Sequence, residues 1–102
     1  MAEALARMWG QFLPQMYGRV AVLETAAGPL ADGTLTDTER EEATGAAHKL
    51  AGILGSFGLP EGTNLAREAE TLCGCKSDAA PAAGARIAEI AALLRNEIGS
   101  RK

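Results

Sequence analysis

Aromatic side chains are scarce, one Trp, one Tyr and two Phe in 102 residues, so aliphatic side chains must fill the core. Long apolar runs are missing as well. None approaches the roughly 20 residues that a membrane span requires. The opening MAEALARMWG has no basic region leading into an apolar stretch. Both absences argue against membrane insertion and for a soluble, cytoplasmic chain. Basic charge is thin: ten Lys and Arg, scattered along the chain, face thirteen Asp and Glu, for a net charge of −3. That is the reverse of a stripe that neutralises a phosphate backbone, so nucleic acid is not an expected partner. Cysteine occurs twice, as Cys73 and Cys75 in CGC, too close to staple distant parts of a fold. A zinc site would need two further ligands, and His48 is the only other candidate, so no metal is expected. Also missing are a glycine-rich phosphate loop behind a strand, a Ser or Cys nucleophile with a second base, and an acidic cluster able to hold Mg²⁺. A kinase acting alone is thereby excluded.

What is present is a chain 47% hydrophobic, with few β-branched runs, whose length suits one domain over residues 1–102. Leu5, Trp9, Phe12, Leu13, Met16, Val20 and Leu23 recur at steps of three and four, the period of an amphipathic helix. Pro14 inside this pattern predicts a kink or a division into two helices. GPLADGTL at 28–35 predicts a turn after about residue 31. Thr36 and Glu39 form a capping box for a second helix, and Gly58 suits its stop. Pro60 opens a third, with Leu65, Ala66, Ala69, Leu72 and Cys73 on its apolar face up to Gly74. Ser77 or Asp78 can cap a fourth, which carries Ala83, Ile87, Ile90, Ala91, Leu94 and Ile98. Four such segments joined by short turns predict an all-α, antiparallel up-down four-helix bundle.

On the second helix, Ala43, Ala46, Ala47, Ile53, Leu54 and Phe57 fall within about 60° of Leu50, whereas His48 lies about 160° away and points to solvent. Around it on that outer side the wheel places Thr44, Gly45, Ala51, Gly52 and Gly55. Solvated helix faces usually carry long polar side chains, and each interior Gly costs about 1 kcal/mol relative to Ala. Small residues around a projecting imidazole leave room for a phosphoryl group and for a partner's backbone. The same residues suit an exposed, reactive histidine or a plain surface one.

The stretch AHKLAGILGSFGL is similar to the signature of histidine-containing phosphotransfer domains, the four-helix-bundle modules of bacterial two-component phosphorelays and chemotaxis-type kinases. That signature has a His, a hydrophobic residue two on, Gly four on and a second Gly ten on, matched here by His48, Leu50, Gly52 and Gly58. The resemblance continues through LAREAETL and extends from about residue 5 to residue 98. It implies a phosphotransfer intermediate rather than an enzyme. His48 would accept a phosphoryl group from an upstream histidine kinase, a hybrid kinase or an aspartate, and exchange it with the aspartate of a response-regulator receiver domain. It also implies a monomer with no cofactor of its own, Mg²⁺ belonging to the receiver. Many members have Lys three residues after the histidine, where this chain has Ala51, which leaves Lys49 as the cation nearest the phosphoryl group. Chemotaxis-type members have a Glu 22 residues after the histidine that orients the ring, and Glu70 stands there. Helix periodicity by itself puts Glu68 and Glu70 on opposite borders of the third helix and does not choose between them.

Two rival readings remain at this level. One is a helical adaptor that binds a receiver or kinase domain without being phosphorylated. The other is a redox protein built on Cys73 and Cys75.

Overall fold

In the computed structural model, which describes residues 2–74 and 81–100, the chain forms an all-α four-helix bundle. The helices are α1 (Ala2–Asp32), α2 (Asp37–Ser56), α3 (Pro60–Gly74) and α4 (Pro81–Ser100). The short connections at 33–36 and 57–59 make α1 antiparallel to α2 and α2 antiparallel to α3. Ser77, Asp78 and Cys75 lie outside the described residues, as does the side chain of Leu5.

α1 excludes the division at Pro14, one of the two expected alternatives. It runs as one helix of 31 residues with both Pro14 and Pro29 inside it. A proline removes one hydrogen bond, at a cost of about 3 kcal/mol in an isolated helix. Here the core stripe continues on either side of the ring, through Trp9, Met16, Val20 and Leu23, all buried. That continuous packing outweighs one missing bond, and Pro14 itself is exposed. The turn comes where GPLADGTL puts it, after Asp32. Gly33, at φ +77°, ends the helix, and the Thr34 N–H donates to the Pro29 carbonyl over 2.9 Å. This is the six-to-one bond of a Schellman stop.

α2 begins on the capping box read from sequence. The Thr36 hydroxyl accepts from the Glu39 N–H over 3.1 Å, and the Thr36 N–H donates to Glu39 Oε1 over 2.9 Å. These bonds hold the Glu39 carboxyl below its usual range. The helix stops where Gly58 adopts φ +72° and the Gly58 and Leu59 N–H groups close onto the Gly55 and Leu54 carbonyls, a second Schellman motif.

Met16, Val20, Leu23, Leu50, Leu54, Ile87, Ile90, Leu94 and Ile98 form the buried centre. Three of the four aromatics cluster, Phe57 meeting Trp9 and Phe12 edge to face at centroid distances of 5.0 and 6.2 Å. α2 and α3 bring small side chains to the core, Ala43, Ala47 and Ala51 from α2 and Ala66 and Ala69 from α3, all buried. α4 is tied to α3 by Arg86 and Glu68, and to α1 by Arg95 and Glu24 at 2.7 Å.

Candidate functional site

α2 has two borders. Along the first, α3 is held close: Arg40 donates to the Cys73 carbonyl over 2.9 Å, and a Cβ at Gly55 would sit 3.7 Å from the Thr63 hydroxyl. Along the second, facing α1, lie Gly45, Lys49 and Gly52. His48 stands at the outer edge of the α3 border with its side chain 73% exposed.

His48 Nδ1 lies 3.1 Å from Glu70 Oε2. An ionised carboxylate can only accept, so this pairing favours the neutral tautomer with its proton on Nδ1, in which Nε2 has the lone pair. Glu68 is held elsewhere. Its carboxylate takes a two-pronged bond from Arg86, at 2.5 Å from Nε and 2.9 Å from Nη2, and this pairing keeps its carboxyl below the usual range. Arg86 also binds Glu89. Of the two carboxylates that periodicity leaves open, Glu70 is the one beside His48, while Glu68 is engaged by Arg86.

The strip of small residues around His48 divides between the two borders. Gly45 and Gly52 face open space, where an added Cβ would meet nothing within 4 Å. Neither has a positive φ. The fold therefore gives no reason for glycine at either place. Ala51 corrects the outer-face reading, since it is 8% exposed and belongs to the core. It lies about 100° from Leu50, on the side where α3 packs, so the neighbouring helix covers it. Thr44 is half-buried, and its hydroxyl is covered without a hydrogen-bond partner. Gly55 is exposed at the α3 border, where a methyl group would make ordinary contact with Thr63. Gly55→Ala should therefore raise stability by up to about 1 kcal/mol, read as a higher melting temperature. A lower one would show that α3 cannot accommodate the methyl.

Lys49, exposed, lines the shallow hollow shared by His48 and Glu70. Cys73 is wholly buried, and burial pushes its thiol up to about 11 against the opposing effect of Arg40. A thiol in that state is a poor nucleophile near neutral pH. Iodoacetamide at pH 8 should modify Cys73 only after unfolding, as peptide mapping by mass spectrometry would show; rapid labelling of Cys73 in the native chain would favour the redox reading. Arg19, on α1, is a residue the sequence pattern does not single out. It lines the groove beside Lys49.

Among the described residues no group of three or more His, Cys, Asp or Glu could hold a metal ion, and no helix is long and apolar enough to cross a membrane. The family model described as Hpt domain matches residues 7–99. Protein RcaC of Microchaete diplosiphon is 29% identical over 94 residues, which make up 92% of this chain and 14% of that protein. The chain thus corresponds to a small part of that relative's length. No solved structure gives a significant match.

Proposed function

The chain belongs to the Hpt domain family, whose members are phosphocarrier modules of phosphorelays rather than kinases, and from that premise we propose that His48 is its phosphoacceptor and a receiver-domain aspartate its exchange partner. The observation that carries this reading is an exposed imidazole whose Nδ1 is fixed by Glu70 at 3.1 Å while Nε2 stays free.

In the loading direction, the Nε2 lone pair attacks the phosphorus of an aspartyl phosphate. The N–P bond forms as the P–O bond to the aspartate breaks, and the carboxylate departs with that electron pair. Because Nδ1 keeps its proton, the ring gains positive charge as it takes the phosphoryl group. Glu70 sits where that charge develops, so its bond strengthens along the reaction while also fixing the tautomer. Lys49, next to the histidine and on a flexible stem, is the cation on the phosphoryl group's flank, in the absence of one at Ala51. Mg²⁺ is expected on the receiver. Transfer back to an aspartate reverses each step.

Glu70→Ala should slow loading about tenfold without preventing docking, since an orienting partner is lost while the surface around Nε2 stays intact. Unchanged kinetics would remove Glu70 from the mechanism. Gly52→Gln should leave the melting temperature near that of the parent, because space is open there, and yet slow transfer by filling the place beside the imidazole. Full transfer by Gly52→Gln would mean that the glycine serves no partner.

The direct test is incubation with a phosphorylated receiver domain and detection of acid-labile phosphate on this chain. Transfer supports the carrier. Binding without any transfer supports instead an adaptor that is not phosphorylated.

A further inference from the structure

Two cavities line the groove between α1 and α2, and they meet at the three residues common to both, Gln15, Arg19 and Lys49. One of them continues past Gly52 towards Phe12 and Phe57. Lys49 also borders the hollow around His48, so the groove is continuous with the face that presents the imidazole.

Arg19 is unlike the arginines that tie the bundle together. Arg40 donates to the Cys73 carbonyl, Arg86 to Glu68 and Glu89, and Arg95 to Glu24. Arg19 is half-buried, its Nε is covered without a hydrogen-bond partner, and it has no carboxylate partner among the described residues. Glu41 and Glu42 line part of the same groove, and neither pairs with it. Covering part of a guanidinium without a partner is unfavourable, and an acceptor arriving at its remaining N–H groups offsets that cost.

We infer that Arg19 is a specificity-determining residue that receives a carboxylate at the acidic phosphorylation site of the receiver as that partner docks over His48. The inference rests on the phosphocarrier reading. A protein of net charge −3 approaching a site rich in carboxylates meets like-charge repulsion, which a cation at the docking edge offsets locally. A planar guanidinium suits the task because its fork matches a carboxylate with two parallel bonds. Position 51, one turn from His48, offers no cation, being an alanine buried in the core. Arg19 supplies positive charge from the other border, on a different helix.

The test uses the full chain as the parent, Arg19→Glu and Arg19→Lys, each loaded in two ways. Phosphoramidate delivers the phosphoryl group to His48 with no protein partner, its P–N bond breaking as ammonia leaves. A phosphorylated receiver delivers the same group through docking. Arg19→Glu should raise KM for the phosphorylated receiver about tenfold and flatten its dependence on ionic strength, with kcat little changed. Arg19→Lys should stay within about threefold of the parent, and loading by phosphoramidate should be equal in all three. An unaltered KM and salt dependence in Arg19→Glu at low ionic strength would overturn the assignment. So would loss of phosphoramidate loading in both variants, which would make Arg19 a residue of the fold. A parent chain loaded by neither donor would overturn the phosphocarrier reading, and the assignment with it.

Discussion

His48→Gln should fold as the parent does and take up no phosphoryl group from any donor. The ring is 73% exposed and its one bond runs to a carboxylate that is itself a third exposed, so its removal touches no core contact. An exposed pair of this kind contributes at most about 1 kcal/mol. The glutamine amide still has an N–H to give Glu70, but its nitrogen lone pair is delocalised into the carbonyl and cannot attack phosphorus. The loss of activity should therefore be complete, with the melting temperature within a few degrees of the parent. Circular dichroism melting and phosphoryl uptake, measured on the same preparation, check both halves. Residual acid-labile phosphate in the variant would place the acceptor on another side chain.

The largest effect on stability should come from a glycine far from the histidine. A Cβ at Gly84 of α4 would lie 2.5 Å from the Ala31 Cβ and 2.6 Å from the Ala27 carbonyl oxygen of α1. The obstacle is backbone and a methyl group, neither of which can swing aside, so Gly84→Ala must push α1 and α4 apart. Overpacking of this sort costs about 1–3 kcal/mol, which the better helix propensity of Ala, about 1 kcal/mol, only partly offsets. For a domain of this size each kcal/mol lost lowers the melting temperature by about 4–8 °C. Gly84→Leu should not fold at all. Gly52→Ala, in open space on α2, should shift stability in the opposite direction. A Gly84→Ala protein as stable as its parent would mean that the α1–α4 seam is looser than this packing implies.

What could be read from the sequence and what could not divides along physical lines. The Thr36 box, the Gly58 stop and the buried stripe of α4 are local signals, set by residues within one or two turns of each other, and the structure has them where the pattern puts them. The same holds for the exposure of His48, which follows from its distance on the wheel from Leu50. Features that depend on where another helix passes were not legible. Gly84 gives no sign in its own helix that α1 crosses there. Ala51 sits on a border, and only the path of α3 decides that it is buried. Pro14 leaves a division of the helix open because a local rule knows nothing of the core on both sides of it. Glu70 could be preferred over Glu68 by resemblance, while the physical reason, Arg86 occupying Glu68, lies on a fourth helix far along the chain. Arg19 follows the same rule: a wheel for α1 sees a polar residue beside Val20, and the groove it lines exists only once α2 is in place.

The central claim is that Glu70 holds the Nδ1 proton so that Nε2 of His48 carries the phosphoryl group. Phosphorus and nitrogen NMR on ¹⁵N-histidine-labelled protein, loaded by a receiver under non-acidic conditions, reads the site directly. The account predicts a single phosphoryl group, coupled to Nε2 of His48 and lost on acidification. Coupling to Nδ1, or phosphate on any other residue, would contradict it.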